Sequence, residues 1–203
     1  VCLPRYFSAR RRLARKLQEA RKLDIDAFED GTWGKVTGRV EATGKTLHAP
    51  LSGRSCVFYD LFVDEERQSE DSSHWAFLFE ETAGVDFAVA DSTGRALIST
   101  AEAKVVIVRD EETYSSIFDT TPEEAALLVR HNPSKRLLFA GNNIRFREGV
   151  VTEGETVCVF GYGTREPDPD ATGSGYRGLP GTRLRIASNR DLPVIISDDP
   201  ENF

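Results

Sequence analysis

The chain's clearest pattern is a strict alternation of apolar and polar residues over positions 34–41, GKVTGRVE. This period of two is typical of a half-buried β-strand. A loop punctuated by Pro50 and Gly53 follows, and residues 56–65 then form a run with apolar residues on both faces. Such a run predicts a central strand. The stretch 33–66 is therefore expected to organise the fold.

Weaker patterns of the same kind continue through the rest of the chain. They predict strands at 74–80, 85–90, 95–99, 103–109, 143–151, 156–161, 182–187 and 193–197. A D-x-x-G turn at 91–94 predicts a hairpin between two of them. The polar run 64–73, DEERQSEDSS, predicts an exposed hairpin loop, and the Gly/Pro-rich stretch 168–181 predicts a long loop.

Two helices interrupt this β pattern. Thr121, Pro122 and Glu124 supply an N-cap, a proline at the first helical position and a capping-box glutamate, which predicts a helix over 121–131. A basic helix with a narrow leucine stripe is predicted in residues 1–23, starting near Ser8. Residues 24–32 are expected to form an acidic linker.

Together these elements predict a mainly β (α+β) fold, a small barrel or sandwich of about nine strands with one inserted helix and a basic N-terminal helix. The β-rich domain is expected to span 24–203, with a first β block at 33–109 and a second at 143–197. The stretches GKVTGRV and ETVCVFG resemble each other. Their similarity suggests two OB-like sub-sheets.

Charge divides the 203-residue chain into two parts. Residues 1–23 hold eight Lys/Arg and one acidic residue, a net charge of +7, so the remaining residues carry −14 of the chain total of −7. An acidic body disfavours nucleic acid, whose affinity depends on neutralised phosphates. The arm is interpreted either as a solvated helix docked on the body or as a juxtamembrane segment on an anionic membrane. Its candidate membrane-surface residues are Arg10, Arg11, Arg12, Arg15 and Lys16.

Cysteine usage and hydropathy indicate a compartment. Three cysteines are too few for a disulfide scaffold, and Cys56 and Cys158 lie in apolar runs, which predicts buried free thiols. We therefore expect the body to face a reducing, cytoplasmic compartment. The sequence contains no apolar run of about 20 residues and no signal peptide. Because the chain starts without Met, a further upstream segment is expected.

The residues that could carry chemistry are few. The three histidines have no evident catalytic partners, and there is no G-x-S-x-G elbow, Cys-x-x-Cys pair or phosphate-binding glycine loop. No catalytic residue, metal or cofactor is therefore predicted. Runs of acidic residues, such as 64–66 and 110–112, are expected to face water. The aromatic residues Trp75, Phe77 and Phe79 are interpreted as one face of the core rather than a base-stacking platform.

Several motifs together resemble the GIDE domain, also called BAM for "beside a membrane". They are Gly34-x-Val36-x-Gly38-x-Val40, the loop LHAPLSGRSCVFY at 47–59, FREGV at 146–150 before EGE at 153–155, and the acidic stretch ISDDPE at 196–201. The resemblance covers about residues 34–200.

This resemblance implies a β-rich domain beside a membrane that acts in protein interaction, with anchor segments outside this chain, before Val1 or after Phe203. It occurs in membrane-anchored mitochondrial RING ubiquitin ligases and in prokaryotic membrane proteins. In the ligases, catalysis belongs to a separate RING that binds two zinc ions through Cys and His. This chain has three Cys and three His, scattered along it, so ligase activity is not expected here.

The leading hypothesis is thus a membrane-tethered, non-catalytic interaction domain whose protein partner is unknown. Its candidate binding loop comprises His48, Pro50, Leu51, Ser52 and Gly53. One alternative is a hydrolase or a component of a ubiquitin-like conjugation system, for which His48 beside this loop is the nominated residue. The other is single-stranded nucleic-acid binding by an OB-like sheet.

Overall fold

The computed structural model describes residues 3–69, 72–109, 111–115, 120–131, 143–168 and 181–203, with side chains omitted at 3–9 and 69. Its helices are α1 (Leu3–Glu19) and α2 (Pro122–His131). Its strands are β1 (Thr32–Ala42), β2 (Leu47–His48), β3 (Ser55–Cys56), β4 (Phe58–Ser69), β5 (Ser72–Gly84), β6 (Phe87–Ala90), β7 (Arg95–Ile98), β8 (Lys104–Val105), β9 (Glu111–Ser115), β10 (Ile144–Val151), β11 (Thr156–Pro167), β12 (Thr182–Ala187) and β13 (Ile195–Ser197). A 3₁₀ turn, Pro200–Asn202, follows β13. Nine of these described strands have four or more residues, and one of the nine, β9, was not predicted.

Five strands close into a barrel in the order β1-β6-β7-β12-β11 and back to β1. The pair β7–β12 is parallel, whereas the other four pairs are antiparallel. A five-stranded Greek-key barrel is the architecture of the OB fold. β13 and β8 extend the sheet outward from β11. The predicted small β-barrel is confirmed.

The two similar sequence stretches are neighbours in this one barrel. Gly34 lies opposite Gly161, Val36 opposite Val159, and Gly38 opposite Val157 in the β1–β11 pair. The expectation of two OB-like sub-sheets therefore needs correction. Alternation is shared because both strands turn one face to the same interior.

Residues 24–32 are not the solvated linker that was expected. Ile25 and Phe28 are buried in the barrel core cluster. A side chain at Gly34 or Gly163 would collide with the Phe28 ring, so both glycines make room for it. Arg165 Nη2 donates to the carbonyls of Ile25, Asp26 and Phe28 and holds the segment in place. Residues 24–32 therefore form a plug, in which Ile25 and Phe28 fill part of the barrel interior.

The remaining long strands form a separate sheet in the order β5-β4-β10-β9. On one face, Leu61, Val63 and Phe146 pack with Leu127 and Leu128 of α2. The two strands of the β4–β5 hairpin remain paired as far as Ser69 and Ser72. The expected loop over 64–73 is therefore wrong for most of its length, and its remaining residues, 70 and 71, lie outside the described part.

The helix and the hairpin predicted from capping and turn residues are confirmed. Glu124 N donates to Thr121 Oγ1 at 3.2 Å, and Thr121 N donates to Glu124 Oε2 at 2.8 Å, which completes the capping box. β6 and β7 pair around the D-x-x-G turn, where Asp91 Oδ1 accepts bonds from the amides of Thr93 and Gly94. The residues predicted to stop α2, 132 and 133, are outside the described range.

The segment between the two sheets departs from the prediction. Of the expected strand 103–109, only Lys104–Val105 is regular. Val108 N bonds to the Asp198 carboxylate at 2.7 Å, so the ladder ends before it. Residues 111–115, for which no strand was predicted, form the edge strand β9 against β10. Glu111 and Glu112, which were expected to face water, are exposed on this strand. Charged residues are common on edge strands, where they discourage further pairing.

Helix α1 packs its leucine stripe on the outside of the barrel. Leu17 is fully buried and shares a cluster with Phe160 and Ile195, while Leu13 packs at its border. The helix starts at Leu3 rather than near Ser8. Pro4 does not prevent this, because a proline in the first turn lacks only an amide that has no partner within the helix. The docked interpretation of the arm is thus observed for the described side chains.

Candidate functional site

The predicted binding loop closes the short β2–β3 hairpin. Ala49 N donates to Arg54 O and Gly53 N donates to Ala49 O, each at 2.9 Å. Gly53 has φ of +69°, a left-handed conformation that favours glycine. The six residues 49–54 therefore form a compact turn with its own backbone hydrogen bonds.

A buried carboxylate fixes this turn to the second sheet. Glu148, fully buried on β10, accepts from Leu51 N at 2.8 Å through Oε1 and from Ser52 N at 3.0 Å through Oε2. Charge-assisted bonds of this kind contribute about 1.5–3 kcal/mol each. Glu148 belongs to FREGV and Leu51 to APLSG, so two separate pieces of the sequence motif meet in space.

The loop residues themselves contain no paired catalytic groups among the described residues. The His48 side chain is exposed and makes no hydrogen bond or ion pair with them. Pro50, Leu51 and Ser52 are half-buried, and Gly53 is exposed. Ser52 Oγ accepts a long bond from Arg54 N, at 3.4 Å. A general base must lie within hydrogen-bond reach of the group it activates, and His48 does not.

The two buried cysteines are free thiols, as predicted. Burial, followed by the Glu148 carboxylate, raises the pKa of Cys56 to about 11, and burial raises that of Cys158 to about 11. Since the thiolate is the reactive form, neither thiol is suited to nucleophilic chemistry at neutral pH.

The five basic residues predicted on α1 divide into two groups. Arg11, Arg12 and Arg15 are exposed, and Arg15 forms a loose pair with Glu19 at 3.6 Å. Arg10 is half-buried, with its guanidinium donating to Ile107 O, and Lys16 lies 5.5 Å from the centre of the Phe160 ring. Three of the five are therefore available at the surface.

The sequence analysis missed a buried charged layer on the second sheet. Asp64, fully buried, accepts two bonds from Arg145 (2.9 and 2.6 Å) and one from Arg147 (2.9 Å). Asp60 accepts two bonds from Arg109, at 3.0 and 2.8 Å. The acidic residues near 64 are thus paired inside the protein. The expectation that this run faces water is wrong for Asp64 and Glu65, which are both buried. Asp64 pairs with Arg145 and Arg147 of β10, and Glu65 pairs with Arg67 of its own strand.

Aromatic rings complete this layer. The Arg109 and Arg147 guanidinium carbons lie 4.7 and 4.9 Å from the Phe62 ring centre, and that of Arg145 lies 4.2 Å from the Trp75 ring. Cation–π contacts contribute about 0.5–2 kcal/mol, more where water is excluded. Tyr114 packs edge-on against Trp75 and is 58% exposed.

The expectation that Trp75, Phe77 and Phe79 share one face is wrong. Phe77 contacts Phe62 on the charged face, whereas Phe79 packs with Leu61 on the α2 face. The pairing of β4 with β5 shifts register between Val63 and Asp64. A one-residue bulge moves every later side chain of that strand to the opposite face of the sheet. The alternation of apolar and polar residues in the sequence does not reveal such a bulge.

The arginines of this layer differ in how well neighbouring groups stabilise their charges. Burial, then neighbouring charges that include Arg145 and Arg109, lowers the pKa of Arg147, whereas hydrogen bonding to Asp64 raises that of Arg145. Arg147 Nε is buried and has no hydrogen-bond partner within the described part of the chain. A cavity of about 250 Å³ lies alongside, lined by Arg10, Arg109, Arg147, Glu112, Asp199 and residues 106–108. The residues that line this cavity include both cations and carboxylates, so the cavity favours neither anionic nor cationic ligands.

A second polar network lies on the α2 face. Glu81 accepts from Tyr59 Oη at 2.7 Å and lies 2.6 Å from His131 Nε2, while the His131 ring stacks on Phe79. Burial raises the pKa of Glu81, but bonds from Tyr59 and His131 outweigh it and lower the net value. Burial also raises the pKa of Tyr59. The network joins the end of α2 to β5, and a high-pKa phenol is not a nucleophile.

One signal could have revealed the charged layer. In two predicted strands, the carboxylates of Asp60 and Asp64 are four residues apart and the guanidinium groups of Arg145 and Arg147 are two apart, so each pair lies on one face of its strand. Residues spaced by two share a face, and opposite charges on adjacent strands stabilise pairing. Asp64 does lie directly opposite Arg145 in the β4–β10 register.

Comparisons with known protein families, curated proteins and solved structures found no significant match to this chain. Among the described residues, neither helix is long and apolar enough to cross a bilayer.

Proposed function

We propose that this chain is a membrane-associated, non-catalytic protein-interaction domain of the GIDE type. The observation that carries the proposal is the division of α1 into two sides. Leu17 is buried against the barrel, whereas Arg11, Arg12 and Arg15 are exposed. This combination presents three guanidinium groups on a helix that is fixed to an acidic body.

The charges favour one orientation at an anionic surface. Each Lys or Arg close to anionic lipid contributes about 1 kcal/mol, so three exposed arginines contribute about 3 kcal/mol. Residues 24–203 carry −14 and are repelled. Because the leucine stripe is occupied by the barrel, the docked helix adds electrostatic attraction without inserting apolar side chains. Binding of this strength is reversible and supplements other attachment.

The loop 49–54 supports recognition rather than catalysis. Both oxygens of Glu148 hold its backbone amides, and Gly53 completes a turn that needs no ligand to form. A rigid, half-exposed turn loses little entropy when a partner binds. We assign protein contact to Pro50, Ser52 and Gly53 on this basis.

No specific observation favours either of the two alternative functions, a hydrolase or conjugation component and single-stranded nucleic-acid binding. His48 lacks a described partner, which leaves the hydrolase or conjugation hypothesis without a site. The OB-like strand order alone does not imply nucleic-acid binding, because one fold serves many functions. The acidic body continues to disfavour it.

The proposal is tested by flotation with vesicles that contain phosphatidylserine. We expect the triple variant Arg11→Gln, Arg12→Gln, Arg15→Gln to bind roughly a hundredfold more weakly than the native chain, since 1.4 kcal/mol is tenfold. The matched control is Arg39→Gln, Lys45→Gln, Arg190→Gln, which removes equal charge from exposed positions of the body. Equal loss in both triples, or in neither, would count against a role for α1.

A further inference from the structure

A buried lysine joins the N-terminal helix to the C-terminal turn. Lys35 on β1 is 4% exposed. Its Nζ donates to Leu17 O at 2.8 Å and to Asn202 O at 3.0 Å. Leu17 lies in the last turn of α1, and Asn202 ends the 3₁₀ turn. A single ammonium group therefore satisfies carbonyls from segments that are far apart in sequence.

These carbonyls suit a cation. The last carbonyls of a helix lack intrahelical partners and carry a partial negative charge. An ammonium group buried without such acceptors would be strongly destabilised. Lys35 thus depends on both segments at once. When α1 withdraws, the Lys35 ammonium loses the Leu17 carbonyl as an acceptor. The lysine is then held less firmly beside the turn, and the turn is less stable in its position.

The apolar surroundings reinforce this dependence. Leu17 packs in the same cluster as Ile195, which precedes the turn. Asn202 is buried, and its Nδ2 donates to Ser197 Oγ at 3.0 Å. Ser197 in turn donates to Val106 O at 2.6 Å. The turn and the helix therefore share one packed region around Lys35.

We propose that docking of α1 and ordering of the turn Pro200–Asn202 are thermodynamically coupled through Lys35. α1 then acts as a strap, and its release loosens the C-terminal segment of the domain. Any partner or surface that withdraws α1 is thereby sensed at Asn202, which follows Leu17 by 185 residues in the sequence. This coupling goes beyond the function proposed above and does not require a membrane.

Hydrogen exchange on the full chain in solution tests the coupling from both ends. Deletion of residues 200–203 should raise the exchange rate of amides in residues 10–20 about tenfold, as expected for loss of a charge-assisted bond. Leu17→Ala should raise exchange at 200–203 by a similar factor, because coupling between two sites is reciprocal. Unchanged exchange at the distant segment in either variant would overturn the proposal.

Lys35→Met shows whether the lysine carries the effect. In this background, deletion of 200–203 should change exchange in α1 less than twofold, since the shared group is gone. Lys45→Met, at an exposed turn, is the matched control and should keep the tenfold response. A full response that persists without Lys35 would contradict the assignment. If Lys35→Met does not fold, the two reciprocal measurements decide alone, and neither depends on vesicle binding.

Discussion

The barrel and the four-stranded sheet bury their side chains in different ways. The barrel interior consists of Val, Ile, Leu, Phe and Ala residues around the Phe28 plug. One face of the sheet instead buries Asp60 and Asp64 beneath Arg109, Arg145 and Arg147. Apolar packing depends mainly on volume, whereas a buried ion pair depends on every partner being present. The two regions should therefore respond differently to substitution.

The largest difference is expected at Asp64. Asp64→Ala removes the carboxylate shared by two largely buried guanidinium groups, those of Arg145 and Arg147, and should destabilise the fold by about 4 kcal/mol. The triple change Asp64→Leu, Arg145→Met, Arg147→Met should cost clearly less, because no charge is left alone. Urea unfolding of both variants measures this. A triple variant less stable than the single one would show that the layer is not governed by pairing.

In the barrel, the matching change is Phe28→Ala. It should cost about 3 kcal/mol through lost burial and the cavity over Gly34 and Gly163. Here Phe28→Leu should recover part of the loss, since apolar volume is what matters. Urea unfolding with the exposed control Phe203→Ala checks the comparison. A leucine as costly as alanine would indicate a requirement for the ring itself.

A smaller effect is expected where the loop meets the sheet. Glu148→Gln keeps one acceptor for Leu51 N but turns a donor toward the other amide, so it should cost about 2 kcal/mol. Amide exchange at residues 51 and 52 should rise with it. Glu153→Gln, on an exposed turn, serves as control. No change in exchange would show that Glu148 does not hold the loop.

The smallest effect is expected in how the free energy of unfolding falls at acid pH. Although burial opposes it, bonds from Thr93 and from the amides of Ile25, Thr93 and Gly94 lower the pKa of Asp91. A depressed pKa adds stability above the unfolded value near 3.8, and that stability is lost as pH falls through the folded pKa. Asp91→Asn should therefore flatten the loss of stability below about pH 4. Thermal melts from pH 2 to 6 measure this, and an unchanged slope would contradict it.

The barrel was the more predictable of the two regions. Period-two patterns in β1 and β11 and the Asp91–Gly94 turn are local signals, and the structure confirms them. The plug was missed because two buried residues, Ile25 and Phe28, lie among charged ones without any period. Its burial depends on space at Gly163, far along the chain, as well as at the nearby Gly34, which is a tertiary cause.

The sheet and the site were less predictable because their signals are non-local. In the sequence, Asp64 belongs to a charged run that is expected to face water. Only the fold shows that Arg145 lies opposite it. The bulge that separates Phe77 from Phe79 leaves no trace in composition. The loop 49–54 was identified from its motif, but its support by Glu148 required the fold. The predicted loop 168–181 lies mostly outside the described residues.

The central proposal is that the exposed arginines of a docked α1 meet an anionic surface. The most direct measurement is binding of the native chain to vesicles at rising salt, with phosphatidylserine or with neutral lipid alone. We predict binding only to the anionic vesicles, falling steeply between 50 and 500 mM salt as charges are screened (on the order of the Debye-length change from about 14 to 4 Å). Equal binding to neutral vesicles, or binding that ignores salt, would contradict the proposal.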